Sequence, residues 1–139
     1  MNQRFSIQER VRWSDVDAAQ IIFYGAYIRF LELAESEMFR AAGLTYSRMY
    51  DELQVWLPRV HIECDFESAA RLDDLLEVTV WVSKIGESSI SLSFEVNRIG
   101  DGVRTATAKF VLVSVEREGF AKCAVPAVMR ECLATYLSA

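Results

Sequence analysis

Two acids one residue apart, Asp15 and Asp17, stand in the stretch RWSDVDAAQIIFYGAYIRFLE, residues 12–32, just ahead of the most apolar helical run in the chain. A carboxylate so placed can attack an electrophilic carbon directly or take a proton from a water that does. The helix behind it supplies a second requirement of such chemistry. Its first N–H groups lack intrahelical acceptors, and its dipole favours negative charge, so a developing oxyanion is stabilised there. An apolar surround would raise the acid's pKa and strengthen any hydrogen bond in the site. On spacing alone, Asp17 reads first as a turn or N-cap acid, since caps are far commoner than catalytic acids.

Other groups are weaker candidates. Glu32, Glu35 and Glu37 lie on the helix and read as solvated or salt-bridged, with Glu37 placed nearest the apolar stripe. The single histidine, His61, sits on the polar face of a strand beside Arg59 and reads as a surface or interface residue. One histidine gives a His-rich metal site or a histidine relay little to work with. Cys64, Cys123 and Cys132 are odd in number and lack C-x-x-C spacing, as expected of reduced structural thiols in a cytoplasmic protein.

The elements that must position these residues follow from periodicity. Residues 5–13 alternate as a strand, and 14–21 form a polar loop. A helix is expected from Phe23 to Ala42, stopped by Gly43, with Phe23, Tyr27, Phe30, Leu31, Ala34, Met38 and Ala41 on one stripe. Ile28, Leu33 and Phe39 lie off that stripe, so the helix should be buried on several sides. Extended stretches follow at 55–66, 75–85, 88–99 and 103–116, the last three joined by GES and GDG turns as an antiparallel meander. REG (117–119) suits a turn into a short extra strand, and Pro126 opens a short helix, Ala127 to Leu137. One helix cannot cover both faces of a flat sheet, but a strongly curved sheet can wrap around it, leaving an edge and an outer face for a second copy.

The bulk properties agree with that frame. The 139 residues, 52% hydrophobic, suffice for a single domain spanning 1–139 with a real core. A net charge of −5 argues against a nucleic-acid partner held by a basic surface. The charged, alternating N-terminus reads as no signal peptide, and no run of about 18 apolar residues suggests a membrane span.

The pattern R-W-S-D-V-D-A-A-x-I-I-F-Y-x-x-Y-I-R-F-L-E, with ECDFESAARLDDLLEVTVWV and IGESSISLSFEV downstream, resembles the hotdog-fold acyl-CoA thioesterases, specifically the 4-hydroxybenzoyl-CoA thioesterase-like branch. The likeness covers roughly residues 4–116. It implies an α+β hotdog fold, a strongly curved antiparallel sheet around one long central helix, in a homodimer or homotetramer. It implies hydrolysis of a thioester, carried on coenzyme A or acyl carrier protein, to a carboxylic acid and a free thiol, with no metal or redox cofactor. The catalytic acid falls on Asp17, and the backbone N–H that polarises the carbonyl falls on Tyr24. Asp15 and Tyr27 match supporting positions; Tyr27 and the Tyr24 side chain are read as core aromatics. Gly25 is a possible second donor, and Ile22, Phe23 and Tyr27 are expected to line the acyl pocket with residues from a second subunit.

Two departures mark this chain. Relatives usually carry glycine three residues after the second acid, where this chain has Gln20, here counted as a polar group near the acyl pocket. Some relatives hold nucleotide phosphates with basic residues at the turn before the SSI strand; here Gly86 to Ser89 follow Lys84. Arg59, Arg71 and Lys84 are the available phosphate contacts, though a solvated face or pairing with Asp73 and Asp74 is the simpler role. Rival readings are an acyl-thioester-binding protein without chemistry and, lower, a dehydratase or hydratase, which would want a histidine where this chain has none.

Overall fold

A computed structural model of the chain describes residues 3–138. Strand β1 (Phe5–Arg10) leads through a 3-10 turn, Trp13–Asp15, and a loop to a second 3-10 turn, Tyr24–Ala26, which runs directly into helix α1 (Tyr27–Ala41). A wide helical turn at Arg48–Glu52 precedes β2 (Val55–Trp56) and β3 (Arg59–Phe66). Strands β4 (Leu75–Ile85), β5 (Ser89–Arg98), β6 (Arg104–Val113) and β7 (Val115–Glu116) follow, then α2 (Ala127–Leu133) and a last 3-10 turn, Ala134–Tyr136.

The main sheet is antiparallel with order β1-β4-β5-β6-β3, and β2 pairs with β7 in a small second sheet. Alternation does the expected work. Leu76, Val78, Val80 and Val82 of β4, Ile90 to Val96 on alternate positions of β5, and Ala106 to Leu112 on alternate positions of β6 face inward and are buried. Against them α1 sets Phe30, Leu31, Ala34 and Met38, none with measurable exposure. Each large side chain so buried stabilises the fold by about 1.5–3 kcal/mol. The result is the hotdog arrangement: a curved sheet around one long helix.

Several boundaries differ from the sequence expectation for identifiable reasons. The first strand stops at Arg10, and Trp13 lies in the 3-10 turn with 74% exposure rather than facing the core. The helix begins after Phe23, which is 40% exposed, so the stripe starts at Tyr27; Ala41 at its far end is exposed too. The stretch 55–66 breaks at Leu57-Pro58, because proline cannot donate to a ladder, and its two parts join different sheets. After β7 the chain turns at 117–120 and returns only as a single bridge, Val115 to Lys122.

One irregularity bears on the site. Arg59 pairs with Leu112 but His61 pairs with Val111, so Val60 is an extra residue, a β-bulge. His61, Glu63 and Asp65 therefore share the outer face, while Arg59, opposite buried Leu112, is turned inward. Simple alternation puts Arg59 on the polar face with His61.

Candidate active site

The loop between β1 and α1 is fixed at both ends by named bonds. Asp15 is buried, and its Oδ2 accepts the Arg12 N–H at 2.8 Å. Arg29, in the first turn of α1, donates Nε to Asp15 Oδ1 at 3.0 Å and NH2 to Oδ2 at 2.6 Å. A third donor, NH1, reaches Glu9 at the end of β1, and Arg12 adds a 3.2 Å contact to the same Glu9 oxygen. Burial pushes the Asp15 carboxyl up, but the hydrogen bonds and charges of Arg29 and Arg12 more than offset it and hold the group below the ordinary aspartate range. This ring joins strand end, loop and helix start, the bracing position expected of Asp15.

Beyond Asp15 the chain makes a tight turn. Val16 bridges Ile22, the Asp17 N–H donates to Ile21 O at 3.0 Å, and the Gln20 N–H donates to Asp17 O at 2.9 Å. Asp17 Oδ1 accepts the Ala19 N–H at 2.9 Å, so the acid also caps its own turn. The turn demands a left-handed residue, and Gln20 supplies it with φ 62°. Glycine takes that conformation without a Cβ penalty; this chain takes it with a side chain attached.

Ile22 N–H donates to Ala70 O, and Phe23 N–H donates to the backbone oxygen of Asp15 at 3.1 Å, which aims the chain into the turn Tyr24–Ala26. Ala26 N–H bonds Phe23 O, while Tyr24 and Gly25 open the turn, where helical N–H groups have no earlier carbonyl to meet. The missing Cβ of Gly25 matters here, since one would stand 2.9 Å from the Phe23 ring.

Beside this turn lies a cleft of about 320 Å³ lined by Ile21, Ile22, Tyr24, Tyr27, Phe66, Glu67, Ser68 and Ala69. The structure thus brings Ile22, Tyr24 and Tyr27 to one cleft. Asp17 is exposed on the adjoining turn, and Gln20, Phe23 and Gly25 do not line the cleft. Tyr27 is a core residue, its ring 5.3 Å from Phe66, and burial pushes its phenol up despite a hydrogen bond with Thr105. The Tyr24 side chain is 79% exposed, against the expectation of a core aromatic, because the helix proper starts only at Tyr27. Phe66, Glu67 and Ser68 were missed by sequence reasoning, since only pairing in the sheet carries the end of β3 to the start of α1.

The remaining candidates resolve as follows. Glu37 pairs with Arg40 at the surface, 2.9 Å apart, and Glu32 is exposed. Glu35 is the buried one, 1% exposed, because it lies one turn from Leu31 and from Phe39 on the packed side of α1. The bulge at Val60 brings Arg59 NH2 to 2.5 Å from Glu35 Oε1 as an ion pair, and neither carboxylate oxygen has a well-aligned hydrogen-bond donor. Burial pushes the Glu35 carboxyl above the ordinary range, although the Arg59 charge pulls the other way. His61 is exposed and 3.0 Å from Glu63, as read. Arg71 meets Asp74 through its backbone N–H, not its side chain, and Lys84 is exposed. The three cysteines are free thiols of intermediate burial.

A curved antiparallel sheet around one helix, with an acid-bearing turn braced against the helix start, defines a hotdog protein of the thioesterase kind. Residues 11–133 match the Thioesterase-like superfamily, and the chain belongs to it. The acyl-CoA thioesterase YbgC of Haemophilus influenzae is 29% identical over 115 residues, 83% of this chain and 85% of that protein. A 1,4-dihydroxy-2-naphthoyl-CoA hydrolase of Prochlorococcus marinus is 25% identical over 127 residues, 86% of this chain and 83% of that one. Among solved structures, the 1,4-dihydroxy-2-naphthoyl-CoA thioesterase of Synechocystis superposes with a TM-score of 0.87 at 17% identity, covering 95% of this chain and 96% of that one.

Proposed function

We propose that the protein is an acyl-CoA thioester hydrolase, acting as one domain over the whole chain, that releases a carboxylic acid and free thiol. The observation that carries this reading is the loop 15–24. One hydrogen-bonded turn carries Asp17, the chain then runs within four residues of it into the 3-10 turn Tyr24–Ala26, and Tyr24 of that turn lines a partly apolar cleft. The thioester carbonyl lies with its oxygen toward the N–H of Tyr24, assisted by that of Gly25. Asp17 either attacks the carbonyl carbon, expelling the thiolate and leaving a mixed anhydride that water opens, or takes a proton from the water that attacks. Ile22 and Tyr27 flank the acyl group, with Phe23 and Gln20 at the rim. Coenzyme A is the preferred carrier over acyl carrier protein, in keeping with the names of the relatives, and the setting is cytoplasmic.

Strand β3 supports a homodimer. It is an edge strand with seven of its eight residues exposed, and Val60, Ile62 and Phe66 are 61%, 48% and 55% exposed. An apolar edge of that kind is a template for a second copy.

Thiol release across a panel of aliphatic and aromatic acyl thioesters, for wild type and Asp17→Asn, tests the assignment. Wild type is expected to turn over at least one substrate, and the variant to lose two or more orders of magnitude, about the contribution of a catalytic acid or base. A fully active variant would remove Asp17 from the mechanism. A wild type silent on every substrate would favour a binding protein.

A further inference from the structure

A second and larger cavity, about 480 Å³, lies at the other end of α1. Phe39, Tyr46, Met49, Trp56 and Phe120 make much of its wall, and the lining side chains with polar groups are Arg59, Tyr46 and the indole of Trp56. The volume suits a ligand and the lining is that of a binding pocket: mostly apolar, with few polar groups. Nothing in the mechanism above uses it. Within one protomer it is remote from the cleft, because Tyr27 of the cleft and Phe39 of the cavity are separated by about 18 Å of helix.

Pairing through β3 removes that separation. A two-fold centred on Ile62 sets His61 opposite Glu63 of the partner subunit, a favourable charge pairing. It also runs the Arg59 end of one strand beside the Phe66 end of the other. Phe66 lines the cleft and Arg59 the larger cavity, so this pairing would set the cleft of one protomer beside the cavity of its partner.

We propose that this cavity receives the acyl group of the thioester held at Asp17 and Tyr24 of the other protomer, and that Glu35 and Arg59 select acyl groups carrying a neutral oxygen at their far end. The proposal rests on the thioesterase reading and on the β3 dimer. Its chemistry follows from the pair. Glu35 is sealed behind Arg59, with less than 1 Å² of either carboxylate oxygen accessible, so it offers nothing directly to a ligand. Its charge offsets that of Arg59, whose side chain is 31% exposed toward the cavity and spends NH1 on Leu57 O at 3.0 Å. The guanidinium has five N–H donors, and some remain free. A donor whose charge is already matched favours a hydroxyl or keto oxygen over a carboxylate, which would be a surplus buried charge. The Tyr46 hydroxyl, beside the guanidinium and 3.0 Å from Ser36 Oγ, is a second partner for that oxygen. Arg59 is thus a specificity residue and Glu35 the residue that positions and neutralises it.

The test compares kcat/KM for octanoyl-CoA, its terminally hydroxylated analogue and its terminal-carboxylate analogue. Wild type should prefer the hydroxylated chain over octanoyl by about tenfold, the worth of one net hydrogen bond. Glu35→Gln leaves Arg59 unneutralised and should shift the ranking toward the carboxylate by about tenfold or more. The double variant Glu35→Gln with Arg59→Met, which strands no buried charge, should lose the hydroxyl preference. Purified mixed dimers of an Asp17→Asn chain and a Glu35→Gln chain assign the cavity. The working Asp17 lies in the Glu35→Gln chain, so the wild-type ranking is expected if the partner's cavity is read, and the Gln ranking overturns the arrangement. Equal rates on octanoyl and its hydroxylated analogue, or an unmoved ranking in Glu35→Gln, overturn the proposal while Asp17-dependent turnover leaves the thioesterase reading standing. A wild type silent on every thioester overturns both.

Discussion

Asp15 and Asp17 differ by one position and by almost everything else. Asp15 is sealed under Arg29, and Asp17 is exposed on the turn that it caps. Asp15→Asn removes charge-assisted hydrogen bonds while Arg29 keeps its Glu9 partner, so it should cost about 1.5–3 kcal/mol at neutral pH. The sign of its pH dependence is fixed by the depressed pKa. A carboxylate held below its ordinary value contributes stability above that value and loses it as pH falls through the folded pKa. Urea unfolding should therefore show a large deficit for Asp15→Asn at pH 7 that shrinks below about pH 3.8, the ordinary aspartate value. That Asp17 caps a turn ahead of the helix was legible from spacing, and the bracing position of Asp15 from its match to the family pattern. The identity of Asp15's partner was not, since Arg29 looks like any helix arginine until α1 packs beside β1.

At the scale of elements, the one-residue bulge in β3 decides most. Without it Arg59 would lie outside with His61, and Glu35 would be an unmatched buried acid. Glu35 has a folded pKa above the ordinary value of 4.5, so the native state holds its proton longer than the unfolded chain does. Stability then declines as pH rises from the ordinary carboxylate range through the folded pKa, and Glu35→Gln should flatten that decline. Chemical unfolding between about pH 4 and pH 8 measures the slope; an unchanged slope in the variant would remove Glu35 as its source. The helix glutamate nearest the core was misplaced to Glu37 because the stripe was carried on to Ala41, which is exposed. The stripe from Tyr27 to Met38 is buried as expected, but the packed face is wider than the stripe and also takes in Phe39, which brings Glu35 inside.

At the scale of the molecule, the exposed edge strand is the feature that one chain leaves unfinished. Ile62→Lys places a charge at the centre of that edge, a device that natural sheets use to stay monomeric. If the proposed β3 dimer forms, the variant should halve the mass measured by light scattering and depress hydrolysis, because the cavity proposed for the acyl group is then remote from the turn that bears Asp17. A variant that stays dimeric, or a monomer of full activity, would place the interface elsewhere.

The sequence by itself determined the local things: the meander and its turns, the apolar helix, the acid ahead of it, and the class of fold these imply. Each depends on neighbours a few residues away, where periodicity and turn chemistry act. Only the tertiary structure decided that Gln20 adopts the left-handed conformation glycine would take, that Arg29 braces the loop, and that Phe66 closes the cleft. It alone decided that a bulge at Val60 swings Arg59 onto Glu35. These depend on register, and register is set by the packing of the whole sheet on the helix: one residue of slip exchanges the inner face for the outer.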